Sequence, residues 1–239
     1  MKLRLIAILS GVIWAILAGL ASAQHLMISE ADRDRWQAIG RVNIGGFKSR
    51  GLCTGTLISP DRVLTAAHCV VDPKTGRPFA LYRVYFVASW HKGESRGVGK
   101  ARAIHVFPNF PKTPRRPGKP LAYGDLKNDV AVIELDTTLT DVTPASVTKG
   151  VVNYGPLVVL GYRKDRPEVL SEHLGCAVTR RIGTLIQLGC PVTKGTSGAP
   201  VLHQSETGDW EVVGVISASN AGGGVAVQVT RLAITALTE

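Results

Sequence analysis

Three residues of types that do chemistry together are strung at wide spacing along this chain: His68 in "LTAAHCV", Asp129 in "KNDVAVIEL" and Ser197 in "KGTSGAP". A serine hydroxyl is a weak nucleophile at neutral pH. It attacks a carbonyl only when a base within hydrogen-bond reach takes its proton and a third group holds that base in the right tautomer. Each residue alone has an ordinary explanation: a satisfied core histidine, a strand-initiating aspartate after Asn128, and a serine selected with its glycines for a tight bend. Taken in the order His, Asp, Ser, 61 and then 68 residues apart in a chain of strand formers, they point to nucleophilic acyl transfer.

Such a constellation needs elements to position it. "RVNI", "TGTLI", "RVLTAA", "LYRVYFVAS", "DVAVIEL", "PLVVLGY", "GTLIQL" and "WEVVGVISA" are short runs rich in Val, Ile and Leu, separated by Gly, Pro, Asp and Asn. Many short strands with frequent turn signals indicate an all-β barrel or sandwich architecture rather than βαβ units. Ser29 reads as the cap of a short helix ending at Gly40, and "TRLAITALTE" at the end returns to helical composition. The one long loop, from about Pro108 to Asp125, is basic and proline-rich, and reads as a solvated surface segment.

The first 23 residues carry Lys2 and Arg4, an apolar run and the ending Ala21-Ser22-Ala23, the pattern of a cleaved secretory signal peptide. Cleavage before Gln24 predicts a secreted or periplasmic protein with no stable membrane insertion. Four cysteines then suit disulfides. Three pairings are arithmetically possible, and the two close pairs lie in different halves, which favours Cys53–Cys69 and Cys176–Cys190. The formal charge of +10 is scattered, and its densest patch, "PKTPRRPGKP", has no aromatic residue to stack on a base, which argues against nucleic acid. No metal-ligand spacing is present among the histidines and cysteines, and no cofactor is expected.

The stretches "CTGTLISPDRVLTAAHC" (53–69), "NDVAVIEL" (128–135), "GTSGAPVL" (195–202) and "WEVVGVIS" (210–217) resemble the chymotrypsin-like serine peptidases, and within them the bacterial secreted branch that includes glutamyl endopeptidases. The resemblance implies two six-stranded antiparallel β-barrels packed face to face, with a C-terminal helix and a cleft between them. The first barrel (41–140) would carry His68 and Asp129, the second (141–239) Ser197, after an N-terminal segment or pro-segment at 24–40. It further implies a monomeric endopeptidase acting on proteins or peptides through an acyl-enzyme, with Gly195 and Ser197 offering backbone N–H groups to the oxyanion. Ser217 would lie beside the buried aspartate and open a strand that continues on to pair with substrate backbone, a substrate-binding role. The rival function on the same scaffold is a catalytically silent binding protein.

The sequence departs from the family in two places. Thr196 stands where animal members carry the aspartate that pairs with a new N-terminus, and "RVNIGG" lies too close to Cys53 to be an activation segment and fits better as the first barrel strand. The pocket for the residue before the scissile bond maps to Pro191, Ser219 and Gly224, with no acidic residue there, so Arg or Lys substrates would lack a partner charge and a small or medium uncharged residue is expected.

Overall fold

Short runs rich in Val, Ile and Leu, broken by turn residues, recur through most of the chain, and the strands they form wrap two cores. In the computed structural model, the described residues are 25–46, 53–116, 120–151 and 155–239. The expected signal peptide lies outside them. Among the described residues no helix is long and apolar enough to cross a membrane.

The first half contributes strands β1 (Ile39–Ile44), β2 (Cys53–Ser59), β3 (Arg62–Thr65), β4 (Val84–Ala88), β5 (Gly97–Val106) and β6 (Ala131–Leu135). They close into a barrel in the order β1-β2-β3-β6-β5-β4, every neighbouring pair antiparallel. Leu57, Leu64, Phe86 and Ile133 are fully buried. β-Branched and aromatic residues suit a pleated, buried face, which is why these runs take strand form. Closure leaves this barrel no open sheet edge.

The second half contributes β7 (Leu157–Arg163), β8 (Arg166–Cys176), β9 (Val178–Ile182), β10 (Leu185–Leu188), β11 (Pro200–Gln204), β12 (Trp210–Asn220) and β13 (Gly223–Gln228). Their order is β8-β7-β11-β12-β13-β10-β9, with two short outer strands, His25–Met27 on β8 and Ser146–Val147 parallel to β12. The two ends of this path, β8 and β9, follow one another in the chain across Ala177. Counted as one bent strand, Arg166–Ile182 makes six and brings the ends together through the backbone. The seam is fastened by the Cys176–Cys190 disulfide and by Gly189 N–H donating to Ala177 O at 2.8 Å. Cys53–Cys69 is the other bridge, so both expected pairings form. The mostly-β, chymotrypsin-like architecture read from the sequence is the one observed.

One local expectation is corrected. The helix foreseen from Ser29 to Gly40 shrinks to one 3₁₀ turn, Glu30–Asp32, whose Asp32 N–H is capped by Ser29 Oγ at 3.2 Å. The charged run after it has no apolar face to bury; instead Ile28 and Trp36 anchor the segment, Trp36 against Trp210 edge to face at 5.4 Å. The described residues of the loop around 108–125 are mostly exposed, as expected, and among them Arg115, Arg116 and Leu121 line a cleft beside His68. At the other end, helix α1 (Arg231–Thr238) is capped by Thr230 and buries Ile234, as its composition suggests.

Candidate active site

Asp129 sits just before β6, where the chain turns into the core, and is fully buried. An ionised carboxylate there needs donors for its lone pairs. Three are supplied: His68 backbone N–H to Oδ1 at 2.8 Å, His68 Nδ1 to Oδ2 at 2.7 Å, and Ser217 Oγ to Oδ2. His68 belongs to a single helical turn, Ala67–Val70, directly after β3, and Cys69 ties that turn back to β2. The imidazole is thereby held by its Nδ1 side, with the ring a quarter exposed and Nε2 turned away from Asp129. Burial, the largest influence, pushes its pKa down. The charge of Asp129 and the hydrogen bond to it push harder the other way, and the net position is above the ordinary 6.5, with Arg115 opposing the rise.

Ser197 lies in the tight turn between β10 and β11. Its placement depends on two glycines in the left-handed region. Gly195 has φ +99°, and a Cβ there would stand 2.5 Å from Tyr162 O; Gly198 has φ +80°, and a Cβ would stand 2.2 Å from Thr54 O and 2.3 Å from Thr65 Oγ1. Only glycine adopts that conformation without cost and leaves room for so close an approach. The turn's amides are used selectively. Thr196 N–H bonds Thr193 O, Gly198 N–H bonds Ile216 O and Ala199 N–H bonds Thr196 O. Among the described residues Gly195 N–H and Ser197 N–H have no acceptor, so the two donors flanking Thr196 remain available to an incoming oxygen. Thr196, at the position that departs from animal relatives, is itself buried and spends its hydroxyl on Thr193 O at 2.6 Å.

Thr54, which sequence reasoning passed over, joins the two halves. Its N–H donates to Ser197 O at 2.8 Å, its Oγ1 donates to Gly195 O at 3.0 Å and accepts from Tyr162 N–H at 2.9 Å, and its carbonyl accepts from Thr65 Oγ1 at 2.8 Å. Next to it, Cys53 is bridged to Cys69, the neighbour of His68. The serine turn and the histidine turn are therefore registered through two consecutive residues of β2. No Ser197–His68 hydrogen bond forms in this arrangement. The only clustered metal-ligand types among the described residues are Cys53, His68 and Cys69, and both sulfurs are consumed by the disulfide.

Of the residues assigned to the specificity pocket, Pro191 and Ser219 are exposed and Gly224 is buried against Val192. Gly224 N–H bonds Cys190 O at 2.9 Å, and its carbonyl accepts from Gln187, which in turn accepts from Asn220. Gln187 and Asn220 are additions that the β10–β13 and β12–β13 pairings reveal, and Val192 one that its packing against Gly224 reveals.

Two barrels, a histidine turn on one and a glycine-shaped serine turn on the other, define the class of chymotrypsin-like folds. Residues 53–215 match the family model described as trypsin-like peptidase domain, and the chain belongs to that family. It is similar to the solved structure of a Glu endopeptidase in complex with MPD, with 21% identity, a TM-score of 0.67, and coverage of 90% of this chain and 95% of that one. At that identity the likeness shows the shared fold.

Proposed function

We propose that the protein is an exported serine endopeptidase in which Ser197 is the nucleophile, His68 the general base and acid, and Asp129 the group that orients His68 and stabilises its cationic form. The observation that carries this reading is the pair of N–H groups on either side of Thr196, those of Gly195 and Ser197, which have no acceptor among the described residues while Thr196, Gly198 and Ala199 N–H are bonded. Preorganised donors aimed where negative charge develops are the largest single source of stabilisation in acyl transfer.

In the proposed cycle Ser197 Oγ attacks the scissile carbonyl as its proton passes to His68 Nε2. The tetrahedral oxyanion rests on the two N–H groups. His68 then returns the proton to the leaving amine, and water repeats the sequence on the ester. Asp129 stays ionised throughout, held by its three donors. The two disulfides accord with a compartment outside the reducing cytosol. Apolar Val192, with no carboxylate paired to Pro191, Ser219 or Gly224 among the described residues, favours an uncharged residue before the scissile bond.

The test is labelling of the purified protein with a fluorophosphonate probe, alongside Ser197→Ala and His68→Ala. Labelling of the wild type that both variants lose supports the reading. A wild type that does not label leaves a binding role on a peptidase fold.

A further inference from the structure

The basic loop that the proposed chemistry does not use ends at the edge of the catalytic groups. Arg115, Arg116 and Leu121 face His68 and the segment Ser217–Ser219 across a cleft of about 320 Å³. Arg115 is held in place rather than waving in solvent. Its N–H donates to Pro73 O at 2.6 Å, and its guanidinium lies 5.6 Å from the centre of the Phe110 ring. Its Nε is buried without an acceptor. Neither arginine forms an ion pair among the described residues. Asp125, on the same loop, pairs with neither, and Asp72 accepts from Lys74 N–H instead. A fixed, planar guanidinium with no carboxylate partner is matched to an oxyanion supplied from outside.

The opposite wall supplies a place for peptide backbone. β12 pairs with β11 only as far as Val215, whereas its pairing with β13 continues to Asn220. From Ser217 to Ser219 one edge of β12 therefore has no partner strand, and this is the stretch that lines the cleft. An exposed strand edge accepts an extended peptide by backbone hydrogen bonding, with alternate side chains directed into flanking pockets. This subsite is separate from the pocket around Val192 and Gly224, none of whose residues border the cleft apart from Ser219.

We infer that Arg115, assisted by Arg116, selects substrates carrying an acidic side chain near the scissile bond, at a position other than the residue entering the Val192 pocket. The inference rests on the peptidase reading and adds a substrate class to it: peptides with a carboxylate that reaches the arginine cleft while the backbone lies along Ser217–Ser219.

The experiment uses the purified protein and matched peptides that share one residue immediately before the scissile bond. Each pair carries Glu or Gln at one of the remaining positions, from four before the bond to four after it. The readout is the Glu/Gln ratio of kcat/KM. The inference expects a preference of roughly tenfold at one position, the scale of a charge-assisted pair at a partly exposed site, shrinking at high salt as screening requires. Arg115→Gln brings the ratio close to one, Arg115→Lys restores part of it, and Arg180→Gln, an exposed arginine on β9 away from the cleft, leaves it as in wild type. Cleavage with no Glu preference at any position, or a preference that survives the Arg115→Gln, Arg116→Gln double variant, overturns the inference and leaves the peptidase reading standing. Absence of cleavage of every peptide, together with absence of fluorophosphonate labelling, overturns the peptidase reading and this inference with it.

Discussion

His68 and Asp129 are fixed by hydrogen bonds centred on one carboxylate, in a barrel that closes on itself and with one donor, Ser217, reaching across from the other half, whereas Ser197 is fixed by the backbone of a glycine turn in a barrel whose closure runs through Ala177 and a disulfide. The first arrangement depends on chemical groups: Asp129 can hold His68 as it does only while its carboxylate and its donors are kept. The second depends on conformational space, because Gly195 and Gly198 contribute by having no side chain. The two meet at Thr54, bonded to the serine turn by both its backbone N–H and its hydroxyl, and again where Ser217 Oγ donates to Asp129. The contrast teaches that the two halves should fail differently. Substitutions in the histidine half should abolish chemistry with modest effects on stability, and those in the serine turn should damage both.

The largest effect should come from Ser197→Ala or His68→Ala, each lowering kcat by about a millionfold, with Asp129→Asn lowering it roughly ten-thousandfold because the imidazole loses its tautomer control. Steady-state kinetics checks these, and a double variant no worse than either single one would show that the residues act as a unit. Next, Gly195→Ala should cost about a hundred- to a thousandfold in kcat as the oxyanion donors move, and should also lower the melting temperature because the new Cβ meets Tyr162 O. Unchanged stability would weaken the claim that the turn is conformationally specialised.

Removing either disulfide by paired Cys→Ala should cost about 3 kcal/mol, since both close loops of similar length. The two losses should differ in place. Hydrogen exchange should show β9 and β10 amides exposed when Cys176 and Cys190 are replaced, because that bridge fastens the seam, while the hydrogen-bonded first barrel keeps its protection without Cys53–Cys69. The smallest effect is in pH dependence. A general base works unprotonated, so kcat/KM should fall as pH drops through a value above 6.5, the direction in which Asp129 shifts His68. Arg115 opposes that shift, so Arg115→Gln should move the acidic limb to still higher pH. Movement to lower pH would contradict the placement of its charge.

Much of this was legible in the chain because it is local. Val-rich runs between turn residues mark strands, and four cysteines with close separations within each half suggest their own pairing. The His, Asp and Ser stretches are distinctive enough to be read before they are seen together. The missed features all arise from long-range docking. Thr54 looks like any strand threonine until the second barrel brings Gly195 and Tyr162 to it. The proline-rich loop has no apolar period and reads as solvent-facing, yet the backbone bond from Arg115 to Pro73 folds it against the histidine turn. Ser29 is a genuine cap, but a cap does not set a helix's length; Ile28 and Trp36 are drawn into the core and end it after one turn. Gln187 and Asn220 enter the pocket description only through strand register, and Val192 through its packing on Gly224, neither of which composition specifies.

In the proposed cycle the atom that becomes acylated is Ser197 Oγ. Rapid mixing of the protein with an activated ester, quenching in acid and locating the adduct by peptide mass spectrometry tests it most directly. The account predicts a burst approaching one equivalent of product and a single acyl group on the peptide containing Lys194–Pro200, at Ser197, absent from His68→Ala. No burst, or an acyl group on any other residue, would contradict it.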